Sequence, residues 1–243
     1  MIVSYRHNFI FIKTHKTGGT SVEMALTPLC GPEDIIAPIA LDDERDRMLG
    51  GEIVARNFAQ FDRSLEEEYQ NSVLAGDRPR RRAAMKRIRS HEKGFYCHMP
   101  ARLIREKIDR DFWNSAVKFT IERHPYEKAV SLAYYRLSNW KRPAADFPQV
   151  LNQTLRRNTS IDDFPLYTIN GEVIATVAQH AQLLPDLQAI LAKIGLPVVQ
   201  SLPRAKAVQR LDRRPAVEIL SEDQKAAIRK TCQRTFETFG YEP

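Results

Sequence analysis

Phe9-Ile10-Phe11-Ile12-Lys13-Thr14-His15-Lys16-Thr17-Gly18-Gly19-Thr20-Ser21 is an apolar run that breaks into a lysine, two glycines and two hydroxyls. Four consecutive apolar residues, Phe9 to Ile12, fit a strand covered on both faces, as in a parallel sheet. Gly18 and Gly19 let the backbone turn sharply and approach a ligand closely, because they carry no Cβ. Thr20 and Ser21 suit a helix N-terminus, and Val22, Ala25, Leu26 and Leu29 follow at helical spacing. A strand, a tight loop and a helix start aim backbone N–H groups and the positive end of a helix dipole at one point, which favours a phosphate or a sulfate. Lys16 adds a full charge there. The loop is not that of nucleotide hydrolases, where the lysine follows the last glycine; here Lys16 precedes the pair.

Working outward, 243 residues suffice for one α/β domain with a full core. Hydrophobic residues make up 43% and charged residues 28%, the composition of an ordinary globular protein. No run of about 18 apolar residues exists, so no membrane-spanning helix is expected, and the N-terminus lacks the pattern of a secretory signal. Cys30, Cys97 and Cys232 are scattered and odd in number, which fits a reducing compartment better than a disulfide framework. A net charge of +7 favours anionic partners: nucleotide cofactors, acidic glycans, nucleic acids or anionic lipids.

After the first helix, Ile35-Ile36-Ala37 reads as a short second strand. Residues 41–90 turn strongly charged, with Asp42 to Arg47 and Leu65 to Tyr69 expected as exposed helices and Gly76-Asp77-Arg78-Pro79 as a break. Arg80 to Arg89 is the densest basic run, either a solvated helix face or a docking surface for an acidic substrate. His98 stands just ahead of Pro100, which opens a helix carrying Leu103, Ile104 and Ile108, so its side chain can reach a cleft. Ala116 to Glu122 alternates and is rich in β-branched residues, hence a strand. Pro125 stops it and opens a helix with Tyr126, Ala129, Val130, Ala133 and Leu137 on one stripe. Arg123, at that strand's end, can meet the hydroxyl of Ser131 across the strand–helix corner, and an arginine fork with a hydroxyl suits a phosphate monoester. Ser221 with Gln224 forms a capping box for a last helix with Ile228, Cys232 and Phe236 as its stripe and Gly240 as its stop.

These motifs resemble those of the sulfotransferase family, whose donor is 3′-phosphoadenosine 5′-phosphosulfate (PAPS). Lys16-Thr17-Gly18-Gly19-Thr20-Ser21 is similar to its 5′-phosphosulfate loop. Arg123-His124-Pro125 followed by Ser131 is similar to its 3′-phosphate signature. His98-Met99-Pro100-Ala101 resembles the catalytic-base segment of carbohydrate-type members. Ser160 to Phe164 and Phe236 to Tyr241 are similar to two further runs. The chain departs from the pattern at His15, where the family commonly has proline; this residue is either on the surface or in touch with substrate. Glu172 to Val177 and Ser201 to Lys206 are offered for the family's later strand and adenine loop, and Gln179 and His180 for a cleft or the surface.

The resemblance implies one α/β domain over residues 1–243, a P-loop-like central parallel sheet flanked by helices, with a charged helical insertion around residues 41–90. It implies a sulfotransferase acting on a hydroxyl acceptor, best a glycan and an anionic one if the basic surface takes part. Lys16 would stabilise the leaving phosphate, Thr17 to Ser21 would hold it through their N–H groups, His98 would act as base, and Arg123 and Ser131 would bind the 3′-phosphate. No metal and no nucleic acid are expected, and the lack of the membrane anchor usual in eukaryotic carbohydrate members points to a cytoplasmic enzyme. Two rivals are weighed. A kinase or other phosphotransferase would want the hydrolase glycine–lysine order and an aspartate closing an apolar strand, and neither is found. A nucleic-acid-binding module built on Arg78 to Arg89 would want interleaved aromatics, which are absent.

Overall fold

Along Phe9 to Ile12 every side chain is buried, and the two-residue period of a strand divides them between two cores. Phe9 and Phe11 pack with Val22, Leu26, Phe119, Ile121 and Leu187 on one face of a sheet. Ile10 and Ile12 pack with Leu65, Tyr69, Ile88, Ile104 and Trp113 on the other. The computed structural model describes residues 1–49, 54–157, 160–203 and 210–242.

Two strands, β1 (Ile2–Ser4) and β2 (Phe9–Ile12), lie antiparallel with Ile2 opposite Phe11. Then follow α1 (Gly19–Leu26), β3 (Ile35–Ile36), α2 (Leu41–Leu49), α3 (Arg63–Leu74), α4 (Arg78–Ser90), α5 (Ala101–Lys107) and α6 (Arg110–Ser115). Next come β4 (Val117–Glu122), α7 (Pro125–Asn139), α8 (Phe147–Arg157), β5 (Thr168–Ile169), β6 (Glu172–Val173), β7 (Thr176–Gln179) and α9 (Leu183–Ile194). The chain closes with α10 (Ala216–Ile219), α11 (Glu222–Thr231) and α12 (Gln233–Phe239). The main sheet has the order β3-β1-β2-β4-β7.

The sheet corrects the all-parallel expectation. β2, β4 and β7 are parallel, but β1 pairs antiparallel with both β2 and β3. Only four residues join β1 to β2, with Asn8 at φ 52°, and so short a link makes a hairpin where a parallel pair would need a crossover. The run from Glu172 is likewise not one strand: β6 forms a hairpin with β5 across Asn170 (φ 54°) and Gly171 (φ 86°), and β7 joins the main sheet beside β4. The C-terminal helix is broken at Cys232 into α11 and α12, though Ile228, Cys232 and Phe236 are all buried, the capping box is present and Gly240 caps the end in the left-handed region.

The segment α2 to α4 is not simply exposed. Asp43, Glu44 and Arg47 on α2 are buried: Asp43 lies on the lining of a cleft, and the Glu44 carboxylate accepts hydrogen bonds from Arg47, from the amides of Ile39 and Ala55 and from the Tyr69 hydroxyl. Leu65, Tyr69 and Val73 of α3 and Ala84, Met85 and Ile88 of α4 complete the core on that face. The outer side of α4 is a solvated basic face on which Arg78 pairs with Asp42 and Arg87 with Glu68. A third core surrounds α7, where Tyr126, Ala129, Val130, Ala133 and Leu137 meet residues of α8, α10, α11 and α12. Among the described residues no helix is long and apolar enough to cross a membrane.

Candidate functional site

Where β2 ends, the chain turns under itself before α1 begins. Thr14 fixes the turn: its hydroxyl bonds the Ile121 carbonyl on the neighbouring strand and lies 2.8 Å from the Thr17 hydroxyl. Lys16 (φ 57°) and Gly18 (φ 82°) both take the left-handed conformation. Glycine takes this conformation at 18 without strain, and a Cβ there would also press on the Leu183 side chain at 3.0 Å. Beneath the loop, Lys13 is buried in an ion pair with Glu23 and donates to the Thr20 hydroxyl at 3.0 Å. Its stem runs so close to Gly19 that an added Cβ would come within 2.9 Å of it. Gly18 is the N-cap of α1, and among the described residues no side chain caps that end.

β4 delivers the second arm. Arg123 follows its last residue, and its Nη1 donates to the Lys16 carbonyl at 3.2 Å while Nη2 lies 3.2 Å from Glu127. The Arg123 Nε is buried with no hydrogen-bond partner among the described residues. Pro125 sits in the first turn of α7, and Ser131 and Tyr135 follow along the face turned to the loop. The Lys16 ammonium rests 4.3 Å above the centre of the Tyr135 ring.

Lys16, Gly18, Gly19, Thr20, Ser21, His98, Arg123 and Ser131 all line one cleft of about 760 Å³. The residues expected to offer N–H groups differ in their surroundings. The Thr17 side chain does not reach the cleft, because its hydroxyl is turned inward to Thr14 and the residue is fully buried. The Ser21 amide is not open to a ligand either, since it donates to the Gly18 carbonyl at 3.0 Å.

Further residues join the lining that sequence reasoning did not assign: Tyr135, Arg210 and Arg213. Arg210 is held by Glu127 at 2.5 Å, and the same carboxylate accepts the Ala216 amide at 2.7 Å, which ties this segment to α7. Nothing local marks Arg210; only its distant partner on α7 distinguishes it from other surface arginines. His180, at the end of β7, also faces the cleft, and burial with the nearby Arg123 charge pulls its pKa down to about 4. Gln179 does not line it: its amide bonds Asp186 and its side chain accepts from the Tyr241 hydroxyl. Leu202 and Pro203 reach the cleft, while Arg204, Ala205 and Lys206 of the same suggested loop lie outside the described residues.

On the loop's other flank stand two histidines. His98, itself at φ 59°, places Nδ1 3.1 Å from the Lys13 carbonyl. A carbonyl only accepts, so Nδ1 carries the hydrogen and Nε2 the lone pair. Burial, reinforced by the Lys13 ammonium, pulls this imidazole from the usual 6.5 to about 3. Its ring stacks on that of His15 with centres 3.7 Å apart and planes 15° from parallel. His15 in turn is bound twice to Asp163, through Nδ1 at 2.7 Å and through its backbone N–H at 2.6 Å. Asp163 is buried and also paired with Lys128 at 2.7 Å, whose ammonium reaches Glu122 at 3.0 Å, and Glu122 accepts the Tyr167 hydroxyl at 2.7 Å. The Ser160 to Phe164 run thus contributes through Asp163, which supports the loop from behind.

The cleft can therefore receive an elongated, doubly anionic ligand between the Lys16 loop and the Arg123 corner, with the His15 and His98 imidazoles also on its lining. No family model matches the chain, and no solved structure matches it. An uncharacterized protein of Archaeoglobus fulgidus is 30% identical over 105 residues, which cover 41% of this chain and 84% of that protein.

Proposed function

We propose that this chain, which belongs to one family with the uncharacterized Archaeoglobus protein, is a sulfotransferase of P-loop-like fold that moves a sulfuryl group from PAPS to a hydroxyl acceptor. The observation that carries the reading is the junction of the two motifs: they follow the parallel neighbours β2 and β4, and Arg123 donates directly to the Lys16 carbonyl within one cleft. A nucleotide bearing a 5′-phosphosulfate and a 3′-phosphate has its two anionic ends to offer to such a pair of sites. The loop receives the 5′ end, through the amides at the uncapped start of α1 and the Lys16 ammonium. Arg123 and Ser131 receive the 3′-phosphate.

Sulfuryl transfer needs an in-line oxygen nucleophile, a fixed donor and a neutralised leaving group. Lys16 lifts from the Tyr135 ring to meet the charge developing on the bridging oxygen. An imidazole flanking the loop takes the proton of the acceptor hydroxyl. The acceptor is a hydroxyl of a glycan, and the basic outer face of α4 suits an anionic one.

The test is a thermal shift with the desulfated product, 3′-phosphoadenosine 5′-phosphate (PAP), in the absence of added metal, set against ATP with magnesium and against duplex DNA. The expected result is a rise in Tm with PAP, followed by transfer of label from radiolabelled PAPS to an oligosaccharide pool. Stabilisation by ATP-magnesium alone would make the protein a phosphotransferase, and stabilisation by DNA alone a nucleic-acid-binding module.

A further inference from the structure

Two imidazoles line the cleft that Lys16 also lines, and the structure equips them differently. A proton placed on His98 has, among the described residues, no carboxylate hydrogen-bonded to it and is opposed by the charge of the Lys13 ammonium; its pKa of about 3 reflects burial first and that cation second. His15 has a carboxylate built onto it. Burial alone would raise the Asp163 carboxyl, but Lys128 and the His15 bonds hold it at about 2, so it is ionised at neutral pH. An ionised carboxylate only accepts, so His15 Nδ1 is the donor, and in the neutral ring the lone pair is on Nε2. The ring lines the cleft next to Lys16, and its side chain is 28% exposed. Its second bond to Asp163, from the backbone N–H, fixes the loop at the same carboxylate that fixes the ring. Behind Asp163, the Lys128–Glu122–Tyr167 chain locks the orienting group in place.

We propose that His15, oriented by Asp163, is the base that accepts the proton of the hydroxyl nucleophile, and that His98 is the neutral plate against which the His15 ring is held. The assignment rests on the sulfuryl-transfer reading above. In the step, the acceptor O–H bond breaks and its proton passes to His15 Nε2. The oxygen's electron pair forms the new O–S bond as the bond from sulfur to the 5′-phosphate oxygen breaks. The departing pair stays on that phosphate, which Lys16 neutralises, so the products are a sulfate ester, PAP and one proton. Asp163 is the positioning residue: it selects the tautomer and stabilises the imidazolium while remaining ionised itself.

The experiment compares wild type, His15→Ala and His98→Ala with radiolabelled PAPS and an oligosaccharide pool, with and without added imidazole, alongside the thermal shift by PAP. His15→Ala is expected to keep the PAP shift, to lose about 10²- to 10⁴-fold in turnover, and to regain turnover when imidazole fills the vacated space. His98→Ala is expected to lose less and to gain nothing from imidazole. Long-range proton–nitrogen NMR correlations of the His15 ring, assigned by their loss in His15→Gln, should show the hydrogen on Nδ1 without any acceptor present. If wild type transfers no label, the sulfuryl-transfer reading falls and this assignment with it. If wild type transfers label but His15→Ala turns over normally or is not rescued, if His98→Ala is the variant rescued, or if the ring carries its hydrogen on Nε2, the role of His15 alone is overturned.

Discussion

Arg123 does three things with one guanidinium. It donates to the Lys16 carbonyl, pairs with Glu127, and leaves Nε buried with no partner among the described residues beside the cleft. The planar fork can serve all three directions because its donors are fixed in one plane, whereas an ammonium is a single point of charge. Arg123→Lys is therefore expected to keep a positive charge but lose the geometry. Loss of a charge-assisted hydrogen bond corresponds to roughly 10- to 100-fold weaker PAP binding, with turnover at saturating PAPS much less affected. Calorimetric titration with PAP and steady-state kinetics check this; a variant that binds PAP normally and fails only in turnover would move Arg123 out of the binding role.

At the scale of elements, α7 organises the site as well as the third core, because successive turns carry Glu127, Lys128, Ser131 and Tyr135 toward the loop while its stripe faces α8 and α11. Lys128 is buried between Glu122 and Asp163. Lys128→Met keeps the bulk but strips two buried carboxylates of their cation, so a loss of about 3–5 kcal/mol in unfolding free energy is expected, read from urea denaturation. Little change would show that water or Tyr167 already satisfies the pair. The stripe of α7, the strand before it and the glycine loop were legible because each is written in neighbouring residues: alternation, a proline, two glycines, an arginine at a strand end. Asp163 and Arg210 were not legible as site residues, since their meaning lies in partners 148 and 83 positions away. β1 escaped for another reason: its three residues are too few to show a period, and although Ile35-Ile36 was legible as a short strand, so brief a run carries no sign of its antiparallel direction.

Over the whole molecule, several groups fold in a protonation state that acid reverses. His98 and His180 move from the usual 6.5 to about 3 and about 4, so both are neutral in the folded protein. Their contribution is intact above pH 6.5 and is lost as the pH falls toward those folded values, because the unfolded chain takes up the protons first. Glu23 and Asp163, at about 2 in the folded state, add a second loss below the ordinary carboxylate values of 4.5 and 3.8. Unfolding free energy by urea should therefore fall between pH 7 and pH 5, by on the order of 1–2 kcal/mol per histidine, and fall again below about 4.5. His98→Gln should flatten the upper part of the curve; a wild-type stability that holds constant or rises from pH 7 to pH 5 would contradict the burial of these rings. The bond from Arg123 to the Lys16 carbonyl has its own reach at this scale. It latches the far jaw of the cleft to the near one before any ligand arrives, so a molecule gripping one jaw finds the other already set, and a two-ended ligand should gain far more from its second end than a fragment gains from either end by itself.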